Sequence, residues 1–200
     1  MQNSLLEQLV EVMPGHTVIY KDQKLPLHLI PGGIAYPQTT CIIGPGVVLD
    51  LEVLFEEIAF LKKCGIPDIE SRLKISGRTH VTLPYHKDLD GLYESLKNKP
   101  VGTTKRGIGP TYADKSNRIG IRMYDLLLPE DELIHKIEEA TKVHNQVFKA
   151  NNMEKCIVDC QKLGKQYHEY GETLKNYITD IEPLIFNSIK HNEKIVVEGA

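Results

Sequence analysis

The most informative absences in this sequence are those of long apolar runs, of excess charge and of paired cysteines. No apolar run among the 200 residues is long enough to span a bilayer, so we expect no membrane partner. The formal net charge of -3 gives no electrostatic reason to expect nucleic acid as a partner. The four cysteines form no C-x-x-C pair, and residues 1–13 lack the basic start of a signal peptide. These features predict a reduced, cytoplasmic setting.

Two common nucleotide-binding signatures are also missing. Gly44-Pro45-Gly46 precedes a helical pattern, but no Gly-Lys-Ser/Thr follows it, so we interpret this turn as structural. No Asn-Lys-x-Asp or Thr-Lys-x-Asp string for reading guanine occurs. The later histidines show no metal-ligand spacing, and we expect them to be capping or partly buried residues. They are His28, His80, His86, His135, His144, His168 and His191.

The apolar pattern that is present predicts an α/β fold with a mostly parallel central sheet and flanking helices. A hairpin is expected from residues 18–20 and 25–30, and Asp50 is expected to cap a helix that stops at Gly65. Leucines in residues 1–12 recur at helical spacing. The sequence also predicts a buried strand, a turn and a short apolar segment over 39–49, and short strands at 72–76 and 81–84. The other expected elements are a short helix at 86–98, a mainly helical segment at 129–190 with a kink at Pro183, and a buried strand at 194–200.

The stretch 102–112 carries most of the chemistry. Three glycines and a proline make a tight turn there, and Thr103, Thr104, Lys105 and Arg106 share it. Successive backbone N–H groups in such a turn can form an anion site, to which threonine hydroxyls and an arginine can add. A solvated loop is the alternative, and composition alone favours it.

Longer stretches of sequence around this turn favour the anion site over the solvated loop. Residues 102–115, followed by Arg118 and Gly120-Ile121-Arg122, closely resemble adenylosuccinate synthetase, as do Gly15-His16-Thr17 and Glu198-Gly199-Ala200. The resemblance runs from about residue 14 to 200, which is only the middle of a family member. It divides the chain into an unmatched segment 1–13, a part with the hairpin, strands and nucleotide loop at 14–128, the helical segment 129–190 and a truncated core strand at 194–200.

The resemblance implies a reaction and residue roles. In this family GTP phosphorylates the 6-oxygen of inosine monophosphate (IMP), and the amine of L-aspartate then displaces phosphate. His16 is implied as the catalytic residue. Gly15, His16, Thr104 and Arg118 are implied to bind IMP, with Arg118 reaching across a homodimer interface. Gly15, His16 and Thr17 are implied at the GTP phosphates, and the Gly15 carbonyl at Mg²⁺.

The sequence also departs from the family. The family's glycine-rich phosphate loop lies well upstream of Gly15-His16-Thr17, and only 15 residues precede His16 here. The aspartate-binding loop lies downstream of residue 200. We therefore expect an internal fragment that has no turnover by itself. The alternatives are a non-enzymatic dimerising remnant that binds a nucleoside monophosphate, and a helical adaptor built on residues 129–190.

Overall fold

A computed structural model describes residues 5–9, 16–99 and 102–198 of the chain. It has two compact units. The first contains residues Met1–Thr79 and Leu174–Ala200, and the second contains residues His80–Thr173.

A five-stranded sheet forms the centre of the first unit. Its strands are β1 Leu5–Leu9, β4 Thr40–Ile43, β6 Leu73–Ser76, β8 Ile178–Thr179 and β9 Lys194–Glu198. Their order is β8-β6-β4-β1-β9, and every neighbouring pair is parallel. Parallel sheets occur with helices in the same unit, and here these are α1 Leu51–Lys63, α2 Ile69–Arg72 and α7 Glu182–Lys190. The α/β prediction is confirmed.

The strand β1 corrects the helix expected from leucine spacing in residues 1–12. It pairs with β4 through Leu6 opposite Thr40 and with β9 through Leu5 opposite Lys194. A strand between two neighbours has backbone hydrogen-bond partners on both sides, which a helix at this place would leave unpaired. Tertiary pairing therefore outweighs a short helical periodicity.

The predicted hairpin is confirmed as β2 His16–Tyr20 and β3 Gln23–Leu27. Its turn has two residues, Lys21 and Asp22, and both have positive φ, as a twisted two-residue hairpin turn requires. Glu57 of α1 holds the segment that follows, because its carboxylate accepts the backbone N–H of His28 at 2.6 Å and of Ile30 at 3.0 Å.

The predicted start and stop of α1 are confirmed as well. The Asp50 carboxylate accepts the N–H of Glu52 at 3.1 Å, and Gly65 lies just beyond the helix with φ 76°. The two-residue strands β5 Val48–Leu49 and β7 His80–Val81 complete the strand inventory of the described residues.

The second unit is helical. Its elements are α3 Pro84–Ser95, α4 Ile108–Asn117, a 3₁₀ helix Met123–Leu127, α5 Glu130–Ala150, a 3₁₀ helix Glu154–Cys156 and α6 Cys160–Leu174. The long helices α5 and α6 carry apolar stripes, with Leu133, Ile137 and Phe148 fully buried on α5.

Two expectations for the carboxyl third are corrected. Pro183 lies in the first turn of α7, where the missing N–H costs nothing, so it begins a helix instead of kinking one. The strand that was expected to be buried is observed at Lys194–Glu198, and it is not buried: Val196 is 42% exposed and Val197 61% exposed. Among the described strands β9 lies at the end of the sheet and has only β1 beside it, which leaves its side chains less covered.

Candidate functional site

The glycine-rich loop is shorter than the sequence suggested. Only Gly102–Gly107 is irregular, because α4 begins at Ile108 and takes in Gly109, Pro110 and Thr111. Pro110 lies in the first turn of α4, where a helix accepts proline readily. The loop therefore leads directly into a helix N-terminus, an arrangement that favours a negatively charged ligand.

Two carboxylates of α3 hold this loop. Asp90 accepts the hydroxyl of Thr103 through Oδ1 at 2.8 Å and the N–H of Gly107 through Oδ2 at 3.0 Å. Glu94 accepts the N–H of Gly102 at 2.5 Å. The Thr103 oxygen also accepts the N–H of Lys105 at 3.1 Å. The N–H groups of Gly102 and Gly107 and the hydroxyl of Thr103 therefore already have acceptors within the protein.

Gly107 is the tightest point of the loop. Its φ is 77°, and a Cβ placed there would lie 2.8 Å from the carbonyl carbon of His86 and 2.9 Å from the nitrogen of Lys87. Both the dihedral angle and the contact with backbone exclude any side chain. The loop is therefore pressed against the first turn of α3 at this residue.

The middle of the loop faces outward. Thr104, Lys105 and Arg106 are all exposed. Within the described parts of the chain, the side chains of Thr104 and Arg106 make no hydrogen bond or ion pair. A hydroxyl and a guanidinium held on a fixed loop next to a helix N-terminus can bind a phosphate monoester.

Arg118 ends α4 at the opposite end from the loop. It adopts the left-handed conformation with φ 62°, which is uncommon for a residue other than glycine, and it is exposed. The helix has 10 residues, so the loop and Arg118 are separated by about 15 Å of helix. Arg118 thus lies a full helix length from the loop of its own chain.

A buried carboxylate, Asp114, joins three helices behind the loop. It lies on α4 and accepts hydrogen bonds from Tyr85 Oη at 2.9 Å, His86 Nε2 at 3.0 Å and His144 Nε2 at 2.9 Å. His86 Nδ1 accepts the N–H of Leu83 at 2.9 Å, so its proton is on Nε2. Asp114 and His86 are almost fully buried, and this network satisfies both.

The network perturbs the titration of its members. Burial alone would raise the pKa of Asp114, but the hydrogen bonds from His144 and His86 hold that pKa far below its ordinary value. Burial lowers the pKa of His86 and raises the pKa of Tyr85. Near pH 7 Asp114 is therefore charged, whereas His86 and Tyr85 are neutral.

The residues expected at the GTP end lie in the first unit. His16 begins β2, where its backbone pairs with Leu27, and Thr17 pairs with Pro26 and is exposed. Gly15 lies outside the described residues. Thr104 and Arg118 lie in the second unit.

Sequence reasoning missed Asp90 and Asp114. Asp90 is one acid in a polar helical stretch, and nothing in its spacing marks it as a ligand of the loop. Asp114 lies in the string 102–115 that resembles the family, and nothing in that string indicates that it faces His86 and His144. Both histidines were expected to be partly buried or capping residues, and the contacts that join them to Asp114 span 28 to 30 residues.

Comparison with known proteins identifies the family. The family model for adenylosuccinate synthetase matches residues 13–200. This chain belongs to the adenylosuccinate synthetase family. The match begins where the resemblance in the sequence begins, and it includes the loop Gly102–Gly107, Arg118 and β9.

Individual relatives agree with this assignment. The chain is 46% identical over 188 residues to adenylosuccinate synthetase of Acetivibrio thermocellus and 45% identical over 191 residues to that of Heliobacterium modesticaldum. These alignments cover 93% of this chain but 43% of each relative. The fully ligated adenylosuccinate synthetase of Plasmodium falciparum matches with a TM-score of 0.82 and 28% identity, over 99% of this chain and 45% of that one. The expectation that the chain corresponds to part of a family member is confirmed.

Two further features are absent from the described residues. None of their helices is both long and apolar enough to cross a bilayer. No group of three or more histidine, cysteine, aspartate or glutamate side chains within the described ranges converges as metal ligands would.

Proposed function

We propose that this chain carries the IMP-phosphate site of a GTP-dependent adenylosuccinate synthetase, the ligase that joins IMP and L-aspartate in AMP biosynthesis in the cytoplasm. The observation that carries the proposal is the anchored loop Gly102–Gly107, which leaves the side chains of Thr104 and Arg106 exposed beside the N-terminus of α4. Helix N–H groups, a hydroxyl and a guanidinium together suit a phosphate dianion.

In this proposal each site residue has a role in binding or phosphoryl transfer. Thr104 donates its hydroxyl to the IMP phosphate. Gly15, His16 and Thr17 lie at the GTP phosphates, with Gly15 and His16 also touching IMP. His16 stabilises the transferring phosphoryl group and supplies a proton to it. The Gly15 carbonyl is an oxygen ligand of the type that Mg²⁺ accepts, and Mg²⁺ would neutralise charge on the GTP phosphates.

The position of Arg118 supports a homodimer with shared sites. About 15 Å of helix separate it from the loop of its own chain, whereas an exposed arginine at a helix end is free to enter the site of a second subunit. The planar guanidinium can hold a phosphate through two parallel hydrogen bonds, which a lysine cannot do.

The test of this proposal is IMP binding by the 200-residue chain, measured by isothermal titration calorimetry. We expect binding that Thr104→Val weakens by about tenfold, because one hydrogen bond to a charged group is lost. Thr104→Ser keeps the hydroxyl and is the matched control. Equal affinity of the chain and Thr104→Val for IMP would reject the assigned role of Thr104.

A non-enzymatic dimer that binds a nucleoside monophosphate is the second candidate. It uses the same loop Gly102–Gly107 and needs no GTP site. Phosphoryl transfer depends on complete positioning of both reactants, so we expect no turnover from this chain alone. Phosphate release from GTP that requires both IMP and aspartate would exclude the non-enzymatic candidate.

A further inference from the structure

We infer that Asp90 is a positioning residue for the phosphate loop, and that it decides which of the two neighbouring threonines faces the ligand. This inference rests on the proposed function, since it assigns the geometry of the same site. Asp90 lies on α3 and binds the loop at two points, Thr103 near its start and Gly107 at its end.

The two hydrogen bonds to Asp90 connect Thr103 and Gly107 through a single carboxylate. Oδ1 receives the Thr103 hydroxyl at 2.8 Å, and Oδ2 receives the Gly107 N–H at 3.0 Å. One rigid carboxylate thus sets the separation of residues that are four apart in the sequence. Bonds to an ionised acceptor are stronger than neutral ones, so the loop is held better than by turn hydrogen bonds alone.

The same contacts separate the roles of Thr103 and Thr104. The Thr103 hydroxyl donates its single proton to Asp90. Its oxygen accepts the N–H of Lys105 at 3.1 Å. It therefore has no proton to donate to a phosphate. Thr104 is exposed and makes no such bond within the described residues, so it is the threonine that faces the ligand.

Asp90 differs from its neighbours on α3 in this respect. Glu94 contacts only one end of the loop, at Gly102, and it also forms an ion pair with Lys97 at 2.6 Å. Asp88 lines a groove together with Lys155 and Cys156. Among the described residues it makes no hydrogen bond to the loop, so it is a matched control: an aspartate on the same helix, two residues earlier.

The experiment measures IMP affinity of the 200-residue chain and its Asp90→Ala, Asp90→Asn, Thr103→Val, Thr103→Ser and Asp88→Asn variants. Hydrogen exchange at the Gly107 amide is followed in the same samples by NMR. Asp90→Ala removes both bonds. Asp90→Asn can keep both, because its amide oxygen accepts the Gly107 N–H while its NH₂ donates to the Thr103 oxygen.

We expect Asp90→Ala to weaken IMP binding by about tenfold or more, because binding must then also order the loop. The same variant should lose the protection of the Gly107 amide from hydrogen exchange. Asp90→Asn should recover most of the affinity and the protection. Thr103→Val should weaken binding and Thr103→Ser should restore it. Asp88→Asn should bind like the unmodified chain.

The outcomes separate this inference from the proposed function. If the unmodified chain binds IMP and Asp90→Ala binds it equally well, the positioning role is wrong and the proposed function stands. If the unmodified chain does not bind IMP, both are wrong. Should Asp90→Ala fail to fold, Thr103→Val and Thr103→Ser decide: equal affinity of these two variants rejects the inference.

Discussion

Arg118 is one of the described residues other than glycine that have a positive φ. It occupies the left-handed region at the end of α4, where glycine is the usual choice, and this conformation costs a side-chain-bearing residue roughly 1–2 kcal/mol. Strain of this kind persists where the surrounding structure enforces it, and it is common at functional sites. In Arg118 the strain coincides with an exposed cation, as the proposed role across the dimer requires.

His80 is a second informative residue, because it is buried without a partner for one ring nitrogen. Among the described residues its Nδ1 has no hydrogen bond, and burial together with the nearby Lys115 and Arg122 lowers the pKa of His80 to about 4. Asp125 and Asp114 act in the opposite direction but are outweighed. The folded chain therefore holds this imidazole neutral.

We predict that His80 makes folding sensitive to mild acid. The unfolded chain takes up the proton near pH 6.5 and the folded chain only near pH 4, so this contribution to stability is complete above 6.5 and is lost as pH falls toward 4. Urea unfolding at pH 7 and pH 5 should show a loss of stability that is smaller in His80→Gln. An equal loss in both proteins would contradict the assignment. Burial also lowers the pKa of His86, so His86 adds a loss of stability in acid that remains in His80→Gln.

At the scale of elements, the contacts of α6 show how close packing overrides helix propensity. The two glycines of α6 weaken it as an isolated helix. Gly171, however, is buried against the backbone of Leu126 in the 3₁₀ helix Met123–Leu127, so closely that an added Cβ would collide with the Leu126 carbonyl group. The glycine is therefore required by the approach of two elements.

This contact predicts opposite effects for two glycine-to-alanine substitutions in helices. Gly171→Ala should destabilise the chain by about 1–3 kcal/mol, because backbone must move to accept the methyl group. Gly91→Ala in α3 has open space around its Cβ and should stabilise the chain by up to about 1 kcal/mol. Thermal and urea unfolding of both variants measure the two signs. Stabilisation by Gly171→Ala would mean that the packing at Leu126 is looser than the structure indicates.

At the scale of the whole molecule, the proposed site requires two copies of the chain. The loop and Arg118 lie at opposite ends of α4, so a homodimer of the proposed kind contains two sites, each with a loop from one subunit and Arg118 from the other. This arrangement predicts complementation between variants that each lack one component.

We predict that mixing Thr104→Val with Arg118→Gly restores IMP binding. Glycine suits the left-handed position, so Arg118→Gly removes the cation without straining α4. Each variant alone should bind weakly, whereas a re-equilibrated equal mixture should regain about a quarter of the wild-type number of sites, since half the dimers are mixed and each has one intact site. A mixture that binds no better than its components would reject a shared site. Analytical ultracentrifugation checks that dimers form.

Much of this protein follows from local sequence. The hairpin formed by two apolar runs, the cap at Asp50 and the stop at Gly65 were all predicted, because each depends on residues a few positions apart. The glycine-rich loop and the family were also recognisable, since a contiguous string of residues carries both.

The tertiary structure alone decided which distant residues complete these local features. Leu5–Leu9 is a strand because β4 and β9 supply hydrogen-bond partners on both sides, which outweighs its helical spacing. Asp90 and Asp114 hold the loop and α4 through contacts 13 to 30 residues away along the chain. The physical reason is that an acid on a polar helix has the same local pattern whether it faces water or a buried donor, and only packing determines which one it meets.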